Sequence, residues 1–321
     1  MTAPPPSVRE QIARIPFSQI REVARVGMTM PDILPLWFGE PDRPTPTFIR
    51  EAAKIALDQG DTFYQPNAGI PELRETLRDY QNRLYGSRYG TEHITITGSG
   101  MNAVMVAAQA IVSPGDAVVT TTPSWPNLPA VQEVLSAQVR SVPLELKSGR
   151  WQLDLDRLFS ACQGARALLL NSPNNPTGWT MPAEQQREIL EFARSQGLWL
   201  VADEVYARIV YDRPAAPSFC EQATPEDRLI VVNSFSKSWA MTGWRLGWLT
   251  APVELGETFE KLLEFNIAGP PGFIQRAGVA AVAQGEPFIA ESVARYGASR
   301  DRLIEHLQHW PEVSCPAPEA A

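Results

Sequence analysis

Three short stretches of this chain carry side chains that can do chemistry together. One is Ser234-Phe235-Ser236-Lys237-Ser238, followed closely by Met241-Thr242-Gly243-Trp244-Arg245. The others are Asn174-Asn175-Pro176-Thr177-Gly178 and Asp203-Glu204-Val205-Tyr206. A lysine amine adds to an aldehyde only when neutral, so Lys237 must titrate well below the ordinary value of about 10.4. Partial burial and a nearby cation such as Arg245 would both lower it. Asp203 ends an apolar run, where a buried carboxylate can keep a heterocyclic nitrogen protonated. Tyr206 and Asn175 can each donate to a ring oxygen. Ser99-Gly100-Met101 stands between a β-branched run and an alanine-rich one. A strand–turn–helix there would aim free N–H groups and the positive end of a helix dipole at an anion. Ser234 adds a hydroxyl, and Arg245 a planar guanidinium suited to phosphate. Singly, each has a plainer reading: a lysine is usually a surface charge, and Asn-Pro-Thr-Gly is a turn signal. It is the set that describes a site for a phosphorylated aromatic aldehyde.

Such a site needs a frame. Short apolar runs at 94–97, 117–122, 139–144, 167–170, 198–202, 229–232 and 244–249 predict strands, and patterns at 47–59, 71–85, 98–112 and 182–196 predict helices. This alternation indicates an α/β fold, a doubly wound and mostly parallel sheet flanked by helices and buried on both faces. The candidate residues fall where strands end and loops begin, the edge at which such sheets bind ligands. Residues 1–34 form a proline-flagged lead with short helices around 7–12 and 17–26, and 35–47 is a loop. Residues 286–309 read as one long helix, stopped by Trp310-Pro311, and 313–315 as the first strand of a further unit. The expected division is an N-terminal segment at 1–45, a large domain at 46–285, and a linking helix with the start of a small domain at 286–321.

With 321 residues, 44% hydrophobic and 20% charged, the chain can bury a large core. A net charge of −8 argues against non-specific nucleic-acid binding and against a polybasic membrane patch. No secretory h-region and no long apolar run stand out, so a cytoplasmic location follows by elimination. Three widely spaced cysteines and three histidines form no metal motif, so thiols and no metal are expected.

The three motifs resemble those of the class I/II aminotransferases, fold type I enzymes that use pyridoxal 5'-phosphate. Tyr64-Gln65-Pro66-Asn67-Ala68-Gly69-Ile70-Pro71-Glu72-Leu73-Arg74 is also very similar to its counterpart in that family, and the resemblance runs from about Pro35 to the last residue. It implies a Schiff base on Lys237 and transfer of an amino group between an L-α-amino acid and a 2-oxo acid. The lysine would then move a proton between the substrate Cα and the cofactor. It implies Asp203 on the ring nitrogen, Asn175 and Tyr206 on the ring oxygen, and Trp125 stacked on the ring. Ser99, Gly100, Met101, Ser234 and Arg245 would hold the phosphate; Ser234 is preferred to Ser236 because the family's serine stands three before the lysine. Tyr64 would reach the phosphate of a partner subunit, making a homodimer with shared sites. Gly39, in Trp37-Phe38-Gly39-Glu40-Pro41-Asp42, would lie beside the substrate carboxylate with Asn175 and Trp125 nearby; a side chain there would obstruct the substrate.

Two departures accompany the resemblance. The family's carboxylate-binding arginine lies in a C-terminal small domain, and no arginine follows Arg302 here, so that domain is expected to be incomplete. Met101 stands where some acidic-substrate members carry lysine; with Trp37 and Phe38 it favours a neutral or apolar donor. The motifs leave other outcomes open: β-elimination, decarboxylation, or a cofactor-binding fragment without turnover. An effector-sensing module of a transcription factor would need a DNA-binding domain upstream, and the residues before the motifs are not basic.

Overall fold

Seven of the chain's apolar runs line up side by side. The structure is a computed structural model and describes residues 8–320. Its strands are β1 (Ile94–Thr97), β2 (Ala117–Thr122), β3 (Gln138–Pro143), β4 (Glu145–Lys147), β5 (Arg150–Gln152), β6 (Ala167–Asn171), β7 (Trp199–Asp203), β8 (Leu229–Ser234) and β9 (Gly247–Thr250). Strands β4 and β5 form a separate hairpin. The rest make one sheet in the order β1-β9-β8-β7-β6-β2-β3. Only β9 runs against its neighbours, so the sheet is mostly parallel.

Its central strands are apolar at nearly every position because both faces are covered. The helices are α1 (Glu10–Arg14), α2 (Gln19–Gly27), α3 (Thr47–Asp58), α4 (Pro71–Tyr85), α5 (Gly100–Ile111), α6 (Asn127–Val134), α7 (Leu155–Ala161), α8 (Ala183–Gln196), α9 (Gly256–Ile267), α10 (Gly272–Gln284) and α11 (Glu286–Leu307). Alternation along β6 sends Leu168 and Leu170 to one face, where they pack with Leu158 of α7 and Ile189 of α8. It sends Ala167 and Leu169 to the other, where they meet Val104 of α5, Val131 of α6 and Phe259 of α9. A third cluster joins α3, α4 and α10 to β1 and to the segment carrying Phe235 and Trp239.

Three expectations change. The strand expected over 244–249 begins only at Gly247, because Thr242–Trp244 forms a tight 3₁₀ turn and Arg245 is left-handed at φ 56°. Residues 313–315 form no strand; the Val313 N–H turns back to the Trp310 carbonyl at 2.9 Å. The chain runs on instead to Ala320, which makes an isolated bridge to Val210 and donates its N–H to the Gly178 carbonyl at 3.0 Å. The first helix forms at Glu10–Arg14 rather than 7–12; Ser7 lies outside the described residues. Among the described residues no helix is long and apolar enough to cross a membrane, and no cluster of three His, Cys, Asp or Glu side chains gathers to hold a metal.

Candidate active site

Parallel register brings the ends of three strands together. Asn171 at the end of β6 pairs with Asp203 at the end of β7, and β8 beside them ends at Ser234. Strand β1 points the same way, so the turn into α5 opens on the same edge.

Asp203 is buried, and Val205 donates its N–H to Oδ1 at 3.2 Å. Burial pushes this carboxyl up to about 7, against the pull of that hydrogen bond and of the Lys237 charge. Lys237 donates to the Gly39 carbonyl at 2.5 Å, and its amine lies 5.4 Å from the centre of the Tyr206 ring. Its pKa is lowered, first by burial and then by Arg245, while Glu40 and Asp203 oppose. The chain has only four lysines; Lys54, Lys147 and Lys261 are exposed, and Lys237 alone is half-buried.

Asn175 donates from Nδ2 to the Tyr206 hydroxyl at 3.4 Å. Burial raises that phenol to about 12, so it stays a neutral donor. The loop carrying Asn175 is indexed by Asn171, which accepts the Asn175 N–H at 2.8 Å and donates to the Asp203 carbonyl at 3.1 Å. Asn171 was not singled out from sequence; a polar side chain closing an all-apolar strand was its only signal.

Ser99 caps α5 by accepting the Asn102 N–H at 2.9 Å. A Cβ added to Gly100 would lie 3.0 Å from the Ser234 Cβ, so the helix start and Ser234 line the same space. The Ser234 hydroxyl is buried, 3.0 Å from that of Ser236 and 3.3 Å from the Leu246 carbonyl. Arg245 donates to the Thr242 carbonyl at 2.6 Å and forms no ion pair among the described residues. Gly247 is a second residue that sequence reasoning missed. A Cβ there would sit 2.7 Å from the Gly100 nitrogen and 2.8 Å from the Asn233 carbonyl. Only glycine lets α5 start directly against β9, and glycine inside a strand pattern is the signal for such a close approach.

A Cβ added to Gly39 would point at the Tyr206 hydroxyl, 3.6 Å away, and at the Lys237 amine, 3.7 Å away. Half-buried Trp125 packs against the same apolar group as Met101 and Val205. Tyr64 stands apart: it is 91% exposed and belongs to no described hydrogen bond. The remaining sequence-derived residues therefore gather at one edge, with an amine, a buried acid, a phenol and a helix start facing it.

The profile of the family described as Aminotransferase class I and II matches residues 31–321. The chain belongs to that family. The aspartate aminotransferase of Pyrococcus horikoshii is 33% identical over 316 residues, 98% of this chain and 80% of that protein. A probable aspartate/prephenate aminotransferase of Thermus aquaticus is 34% identical over 290 residues, 89% of this chain and 74% of its own length. Among solved structures, the Thermus thermophilus aspartate aminotransferase with maleate superposes with a TM-score of 0.89 at 30% identity, covering 98% of this chain and 84% of that one. The chain is thus an aminotransferase with a fold type I architecture, whose sheet edge carries the residues described above.

Proposed function

We propose that this aminotransferase is pyridoxal 5'-phosphate dependent and that Lys237 is the lysine that carries the cofactor. The observation that supports this most is the meeting of Lys237, Asp203, Tyr206 and Asn175 at one strand edge. The residues suit the group. A buried acid with no cation bonded to it fits a protonated ring nitrogen, and the α5 start, Ser234 and Arg245 fit a phosphate. When bound, the cofactor supplies an aldehyde carbon for the amino group and a ring that withdraws electrons from the substrate Cα. Lys237, with its lowered pKa, supplies a neutral amine and then a base for the Cα proton. Asp203 holds a proton at the ring nitrogen, and Tyr206 and Asn175 donate to the ring oxygen. Trp125 would cover one face of the ring. Gly39 leaves room for the substrate carboxylate beside the amine.

The substrates are an L-α-amino acid and a 2-oxo acid. Half-buried Met101 and its apolar neighbours support a neutral or apolar donor, whereas the relatives named for aspartate support a dicarboxylate. We also propose a homodimer in which exposed Tyr64 reaches the partner's phosphate site, and a cytoplasmic location. The division into 1–45, 46–285 and 286–321 accompanies this reading. The test is to load the purified chain with pyridoxal phosphate and present a panel of amino acids that includes aspartate. The expected result is a visible absorbance band that one donor discharges, with one 2-oxo acid formed per site. Release of ammonia or carbon dioxide with the band regained at the end of the reaction would overturn the reading.

A further inference from the structure

The lysine and the glycine beside it come from segments far apart in sequence, and something must hold them in register. Thr45 is buried at the end of the loop that begins at Gly39. Its hydroxyl donates to the Ala240 carbonyl at 2.5 Å and accepts the indole N–H of Trp244 at 2.9 Å. Its carbonyl accepts the Arg50 guanidinium at 2.9 Å, which anchors the threonine to α3. The two partners, Ala240 and Trp244, lie just before and at the end of the Thr242–Trp244 turn that separates Lys237 from Arg245. Ala240, whose N–H bonds back to the Lys237 carbonyl, is left-handed at φ 52°, and Arg245 follows Trp244 at φ 56°. Neither conformation is easy for a residue with a side chain, so the surrounding contacts must hold both.

We propose that Thr45 is a positioning residue that locks the Gly39 loop to the Lys237–Arg245 loop, fixing the glycine at the lysine amine and the guanidinium at the anion site. The proposal rests on the functional reading above. One hydroxyl serves both partners, so its loss unpairs a buried carbonyl and a half-buried N–H together. Leu or Val could fill the space but could not supply the register.

The direct test is Thr45→Val, which keeps the shape and removes both bonds, beside Thr45→Ser, which keeps the hydroxyl. In Thr45→Val the KM for the amino donor rises on the order of tenfold with little change in kcat, and pyridoxal phosphate binds more weakly. Thr45→Ser restores both. Amide hydrogen exchange over 38–45 and 240–245 rises in Thr45→Val, a readout that needs no turnover. Unchanged exchange with a lowered melting temperature, or a serine variant as impaired as the valine one, would overturn the proposal. Should Thr45→Val not fold, Trp244→Phe removes one of the two bonds and is read the same way: a KM rise of a few-fold supports the proposal and an unchanged KM overturns it. Lys237→Ala is assayed in parallel. Its retained turnover would overturn the functional reading instead, while the exchange result would still judge Thr45.

Discussion

At the scale of the residue, environment separates Lys237 from the other lysines more clearly than any motif does. It is half-buried, bonded to a backbone carbonyl and beside a phenol, whereas the other three lie in water. Lys237→Ala is expected to lose the visible cofactor band and all turnover, checked by absorbance and by product assay. Asp203→Ala keeps the cofactor but slows turnover on the order of 10²-fold or more, because only the electron-withdrawing form of the ring is lost. The two adjacent buried acids also set a pH dependence in the cofactor-free protein. Burial raises Asp203 to about 7 and Glu204 to about 8; the latter accepts from the Ser218 hydroxyl at 2.6 Å and the Phe219 N–H at 2.9 Å. The folded state therefore binds these protons more tightly than the unfolded chain. Their stabilisation is complete below the usual carboxylate range near 4 and is lost as pH rises through about 7 to 8. Melting temperature is expected to fall between about pH 4 and about pH 8, and to fall less in Glu204→Gln. An equal slope in that variant would remove Glu204 from the account.

At the scale of the element, the frame was legible wherever burial alone dictates sequence. Strand β2 and helix α4 span 117–122 and 71–85 as their patterns predict, since β-branched runs and a proline-led amphipathic pattern have few other solutions. What escaped reading depended on tertiary contact. The Thr242–Trp244 turn is tied by hydrogen bonds at and beside it to Thr45, almost two hundred residues upstream, and 313–315 has strand-like residues but forms no strand. Gly247 is the sharpest case, since its reason is a helix start that arrives from another part of the chain. Gly247→Ala is expected to cost about 1–3 kcal/mol of stability, because backbone on both sides must give way. It should also weaken pyridoxal phosphate binding by moving the α5 start. Calorimetry and a cofactor titration check both; an unchanged cofactor affinity would separate α5 from the phosphate site.

At the scale of the whole molecule, most of the proposed site residues lie at one edge of a mostly parallel sheet, and one of them is almost fully exposed. Tyr64 is 91% exposed, with Phe63 at 80% beside it, which leaves it free for the proposed role in a partner's site. Mixing Lys237→Ala with Tyr64→Ala chains should restore activity that neither has alone, at most about a quarter of wild-type sites, since only mixed dimers hold one intact pair. No recovery on mixing would mean that each subunit completes its own site. The central claim, that Lys237 carries the cofactor, is open to one direct measurement because the chain has only four lysines. The holoenzyme is reduced with borohydride, digested and mapped by mass spectrometry. A phosphopyridoxyl adduct on the Lys237 peptide alone is the expected result. An adduct on Lys54, Lys147 or Lys261, or none at all, would contradict it.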